Sequence, residues 1–181
     1  MPFPRTWVEE LIVEWLHLEG FFVVANLPVS VSSAGGRGEV DVVGARIENG
    51  QLEIFHVETG QLSGGKKSIV SVKKKFSLNV KKSVEDYFKK IFFYKSNIIN
   101  YKSIYIATYW TKPTIEGLKG LGVEVFPLPL FIKEKVLATI TRWRESPPHT
   151  PKGPAHLITL PECHWLILLL DYLKIKSLLR S

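Results

Sequence analysis

With 181 residues, 45% of them apolar and 23% charged, the chain has the make-up of one packed domain with an appendage, which excludes both a polar disordered segment and a pair of full-sized enzyme domains. The formal charge of +7 is unevenly spread: residues 1–62 carry three arginines against nine acids, a net −6, so the other 119 residues carry +13. One cysteine, Cys163, excludes an intrachain disulfide and a cysteine-built zinc site and fits a cytoplasmic protein.

Glu9 and Glu10 stand where a signal peptide needs its apolar run, and the apolar stretch 165–170 ends at Asp171, so neither secretion nor membrane insertion is expected. From residue 6 to 18, Trp7, Val8, Leu11, Ile12, Trp15, Leu16 and Leu18 recur at helical spacing. Thr6 is placed as N-cap, Glu9 completes a capping box, and Gly20 stops the helix. Residues 21–31 read as a buried strand, 32–38 as a Ser/Gly turn and 39–47 as a second strand. Asn49-Gly50 is a type I′ hairpin signal that joins this strand antiparallel to a third, 51–59.

Val72, Phe76, Val80, Val84, Phe88 and Ile91 then follow at spacings of four, four, four, four and three, which predicts one long amphipathic helix with lysine on its exposed face. A strand over 103–109, a short helix over 113–121 closed by Gly122, a strand over 123–128 and a helix over 131–144 complete the core. The predicted order is αβββαβαβ, an α/β fold with a mixed sheet flanked by helices. Four prolines in 146–154 mark residues 146–155 as a linker between a core domain, 1–145, and a C-terminal helical tail, 156–181. The apolar run 165–179 in that tail fits a lid packed on the core, a dimerisation helix or half of a winged-helix pair.

Strand residues two apart share a face, so Glu39 and Asp41 lie together on one strand, and His56 and Glu58 on the next. Two strands joined by a hairpin can bring these groups together at one edge of the sheet. Carboxylate oxygens with room for water and a phosphate oxygen suit Mg2+ or Mn2+, and the chemistry implied is phosphodiester hydrolysis. The ordinary alternatives are a satisfied core histidine at His56, a strand-end charge at Glu58, and pairing of Glu39 with Arg37 or Arg46.

A helix with an early glutamate, a buried strand, a glycine-rich turn, the run GEVDVVG, a hairpin, and an apolar strand ending in HVETG resemble the PD-(D/E)XK nuclease superfamily, with a layout similar to archaeal Holliday-junction resolvases and RecB-like nucleases. The resemblance covers roughly residues 5–110 and implies a restriction-endonuclease-like core. It also implies a helix glutamate at Glu9, with Glu10 as the register alternative, and a metal-binding aspartate at Asp41. The third strand of that pattern reads ExK, whereas here the positions are His56, Val57 and Glu58. Three readings follow. Glu58 reaches the metal while His56 serves as ligand or base; or Lys66, Lys67 or a lysine of the following helix supplies the missing ammonium; or cleavage is lost and binding kept.

Ten lysines against Glu85 and Asp86 give residues 66–95 a local charge of +8. Lys66, Lys67, Lys73, Lys74, Lys75, Lys81 and Lys82 form the expected phosphate-tracking surface, for DNA ahead of RNA. Lysine without arginine favours backbone contact over base reading. Tyr94, Tyr101, Tyr105, Tyr109 and Trp110 are candidates to stack bases or to fill the core. A homodimer is a further expected partner state.

Overall fold

A computed structural model describes residues 3–31, 37–145 and 160–176; the predicted linker and parts of the 32–38 turn and the tail lie outside them. The first helix, α1, spans Trp7–Leu18. Thr6 is its N-cap and accepts the Glu9 N–H, and Gly20, at φ 81°, turns the chain out of the helix. Strands β1 (Phe22–Val31), β2 (Arg37–Glu48) and β3 (Gln51–Leu62) follow. Asn49 and Gly50 both take positive φ, 50° and 75°, and the turn sets an antiparallel register from Glu48 opposite Gln51 to Val42 opposite Val57.

The long helix predicted after β3 is two helices, α2 (Lys66–Lys75) and α3 (Leu78–Ile91). Ser77 takes an extended conformation, φ −63° and ψ 155°, as N-cap of α3. The apolar spacing runs unbroken across this kink because Val72, Phe76, Val84 and Phe88 are all buried on the same side of the sheet. Strand β4 (Ile99–Trp110), helix α4 (Lys112–Leu118) and strand β5 (Glu124–Pro127) come next. The chain then continues through α5 (Leu128–Phe131), one wide π turn (Ile132–Val136) and α6 (Leu137–Glu145), and the last described helix is α7 (Trp165–Ile175).

The five strands lie in the order β1-β2-β3-β4-β5. The β1–β2 and β2–β3 pairs are antiparallel, while β3–β4 and β4–β5 are parallel, so this is a mixed α/β sheet as expected. The parallel pairs need crossovers, which α2–α3 and α4 supply. One face of the sheet is covered by α1, α6 and α7, whose Leu11, Ile12, Leu16, Ile140 and Ile167 pack on Val42, Val57 and Ile104. The other face carries α2, α3 and α4 over Ile54, Leu62 and Tyr105. At Gly44 a side chain would meet Leu16 and Phe21 at 3.1 Å, so the small residue lets the end of α1 approach β2.

Candidate active site

Asp41 and Glu58 stand on neighbouring strands, β2 and β3, and their carboxylates meet at one atom. Lys75, the last residue of α2, places its Nζ 3.3 Å from Asp41 Oδ2 and in contact with Glu58 Oε2. The kink at Phe76 and Ser77 ends α2 at this point and lays its C-terminal lysine over the sheet. Asp41 Oδ2 also accepts the Thr59 backbone N–H at 2.8 Å, which ties the carboxylate across the hairpin. Because β2 and β3 are interior strands, the site lies on a face of the sheet rather than at the edge foreseen from sequence.

His56 has no exposed surface and Glu58 has 1%. The imidazole spends both nitrogens inside the protein: Nε2 lies 3.0 Å from Glu58 Oε1 and Nδ1 lies 2.8 Å from the Tyr101 hydroxyl. Burial, with Lys75 and Lys81 nearby, pulls His56 down to about 3, so at neutral pH the ring is uncharged. Against an ionised Glu58 one arrangement satisfies every group: Tyr101 O–H donates to Nδ1 and Nε2–H donates to Glu58. The Phe76 ring packs 4.5 Å from the imidazole, and Lys81 lies 5.3 Å over the Tyr101 ring. His56 thus supports Glu58 from behind and is shut off from any substrate.

Burial pushes Glu58 up to about 8 against the pull of Lys75, and the nearby Asp41 pushes the same way. Lys75 itself is raised: burial lowers it, and the two carboxylates more than offset that. Buried acid crowded by a second carboxylate is an environment short of positive charge. It fits a divalent cation that replaces or joins the lysine.

The other expected ligands behave differently. Glu39 lines the same cleft as Glu58, Lys74 and Lys75, a space of about 200 Å³, but it is ion-paired with Arg5 at 2.6 Å. Glu9 remains a helix cap, accepting from the Thr6 hydroxyl at 3.2 Å and from the Arg5 N–H at 2.7 Å. Arg5 therefore stands between Glu9 and Glu39, a link invisible to strand alternation. Among the described residues no group of three or more His, Cys, Asp or Glu is set to hold a metal, so the expected Asp41, Glu58 and Glu39 set is present as a pair plus a diverted third member.

Lys66, Lys67, Lys73, Lys74 and Lys82 are exposed on α2 and α3, Lys81 is half-buried, and among the described residues none of the six joins an ion pair, in contrast to Lys75. Of the candidate stacking residues, Tyr94 fastens the hairpin through the Gly50 and Ile98 carbonyls, Tyr101 serves His56, and Tyr105 is buried. Tyr109 and Trp110 are exposed where β4 ends. Sequence reasoning put Lys75 among the phosphate contacts and allowed for an ammonium from the following helix, but it missed Tyr101 as the partner of His56. A serine at position 77, a residue type favoured at helix N-caps, was the local signal of the kink, and the unbroken apolar period concealed it.

No family model matches the chain, and no curated protein matches it. A solved structure titled "Crystal Structure of Protein of Unknown Function AF1548" is similar at 12% identity with a TM-score of 0.46, covering 94% of this chain and 98% of that one. Neither its title nor that level of similarity bears on what this chain does.

Proposed function

We propose that the chain is a metal-dependent nuclease, most suited to DNA, in which Asp41 and Glu58 hold Mg2+ or Mn2+ and Lys75 provides the ammonium that the third strand lacks. The observation that carries this reading is the convergence of Asp41 and Glu58 on Lys75, beside a cleft that Glu58 and Lys75 line together with Lys74, which joins no ion pair among the described residues. Bound there, a divalent cation would supply Lewis-acid polarisation of a phosphate oxygen and a more acidic water. Two protein carboxylates suffice for a cation that keeps several waters and takes substrate phosphate as a ligand. Lys75, relieved of neutralising the acids, can then face phosphate or the attacking water. His56 and Tyr101 keep the Glu58 oxygens in one orientation, and the lysines of α2 and α3 track the sugar-phosphate backbone without reading bases.

One observation favours a second reading, a binding module that keeps the fold without cleavage: Lys75 already bridges both carboxylates, as in a structural ion network. Cleavage of branched, single-stranded and duplex substrates with Mg2+ or Mn2+, beside an Asp41→Ala control, separates the two. Metal-dependent cutting lost in the variant is expected. Retained binding with no cutting under any metal leaves the binding module.

A further inference from the structure

A tyrosine whose ring is buried ordinarily finds a partner for its hydroxyl. Two tyrosines on the α3 side of the sheet do so: Tyr94 bonds the Gly50 and Ile98 carbonyls, and Tyr101 meets His56. Tyr105, only 4% exposed, has no hydrogen-bond partner for its hydroxyl among the described residues, yet that hydroxyl is not sealed in. Among those residues, the polar side-chain atoms shut from solvent without a partner are Ser103 Oγ, Trp143 Nε1 and His164 Nδ1, so the small exposed part of Tyr105 includes its hydroxyl. The strand register explains where it ends up. Tyr105 stands opposite Glu58 in the parallel β3–β4 pair, so both side chains rise from the same face of the sheet. The hydroxyl lies over Gly60: a side chain there would meet it at 2.8 Å, and Gly60, at φ 147°, holds a conformation that suits glycine. Just past Gly60 the ladder slips, Thr108 being the extra residue of β4, and such a bulge re-aims nearby side chains. The residue before Gly60 is Thr59, whose N–H holds Asp41 Oδ2. The hydroxyl thus stands beside the group of Asp41, Glu58 and Lys75, and all three charges act on it.

We propose that Tyr105 is a substrate-binding residue of this site, its hydroxyl donating a hydrogen bond to a non-bridging oxygen of the phosphate that the metal engages there. The proposal rests on the nuclease reading and adds to it a donor that strand spacing and charge did not indicate. The acceptor has to come from outside the chain, because the neighbouring carboxylate oxygens already serve Lys75, His56 and the Thr59 N–H. A phosphate oxygen fits, since the hydroxyl keeps its proton at neutral pH: burial raises it, and of its charged neighbours Lys75 lowers it while Asp41 and Glu58 raise it. A buried ring fixes the direction of that O–H, and a fixed neutral donor stabilises negative charge that gathers on a phosphate oxygen during reaction.

Tyr105→Phe in the full chain removes the hydroxyl alone, and with no internal partner lost its urea midpoint should match wild type. With Mg2+, kcat on a DNA that the wild type cuts should fall about 10- to 100-fold. The two phosphorothioate diastereomers at the scissile phosphate identify the contact. Sulfur is a poor acceptor, so wild type should slow on the diastereomer that replaces the oxygen facing Tyr105, and Tyr105→Phe should show no such penalty; a merely structural tyrosine would leave the penalty in place. With Ca2+ in place of Mg2+, fluorescence anisotropy should show oligonucleotide binding about three- to tenfold weaker in Tyr105→Phe, with an unchanged salt slope because an uncharged group releases no counterions. Wild type that binds without cutting under any metal would end the nuclease reading, and the binding comparison would still judge Tyr105. Equal affinity in the variant, or, where the wild type cuts, a sulfur penalty that survives in the variant, would overturn the proposal and leave the nuclease reading standing. A wild type that binds no oligonucleotide would overturn both.

Discussion

Glu58 is buried between an uncharged imidazole and an ammonium, so on the proposed reading a divalent cation would compete with a proton for its oxygens. Burial pushes its carboxyl up to about 8, which leaves it largely protonated at neutral pH in the metal-free protein. Cation binding must then release that proton. Mn2+ affinity should accordingly rise by up to about tenfold per pH unit between about pH 6 and 8, and level off above. Calorimetry in two buffers of different ionisation enthalpy should count close to one proton released near pH 7. An affinity flat over that interval would mean that Glu58 takes no part in holding the ion.

At the scale of elements, the proposed reading gives α2 two tasks joined by one kink. Its last residue, Lys75, completes the site, and its exposed lysines, with those of α3, form the surface over which a phosphate backbone would run. The two tasks separate by mutation. Replacing Lys66, Lys67, Lys73, Lys74 and Lys82 together with glutamine leaves Lys75 and the ion network in place. Affinity for every nucleic acid should fall alike, and the slope of log K against log salt should become shallower by roughly 0.7–0.9 for each phosphate contact removed. Fluorescence anisotropy at several salt concentrations reads this slope, and an unchanged one would reduce the lysine face to solvation. On the opposite side of the sheet, Arg46 binds Glu48, Glu53 and the Glu19 carbonyl at 2.7–2.9 Å, a closed ionic network that fastens α1 to β2 and β3.

For the whole molecule, His56 and Glu58 set opposing dependences of stability on pH. His56 falls from an ordinary 6.5 to about 3, so between those values the unfolded chain binds the extra proton and stability rises with pH. Glu58 rises from 4.5 to about 8, so in that interval the folded chain binds the extra proton and stability falls with pH. The two nearly cancel between 4.5 and 6.5. With metal chelated, urea unfolding should show a plateau there and a decline on each side, each of at most about 1.4 kcal/mol per pH unit. Glu58→Gln should remove the alkaline decline and keep the acid one. A variant that retains the alkaline limb would assign it to another group.

Much of this molecule is written locally. The cap at Thr6 and Glu9, the stop at Gly20, the Asn49-Gly50 turn and the pairing of β2 with β3 depend on residues within a few positions of one another, and the alternation of a strand carries Asp41 and Glu58 to the same face once that turn exists. The split of α2 from α3 was hidden because a 3.6-residue period survives a kink that keeps both helices on one side of the sheet. Long-range geometry alone decided that Lys75 would bridge the two acids, that Tyr101, forty-five residues on, would occupy His56, and that Arg5 would draw Glu39 aside. The same holds for α7: its composition marks an apolar helix, but which face meets the core depends on where Glu14 and Arg144 stand. The sequence by itself determined the elements and the types of chemical group available; the tertiary structure decided which groups meet, because such meetings depend on parallel strand pairing and helix docking between segments that share no local signal.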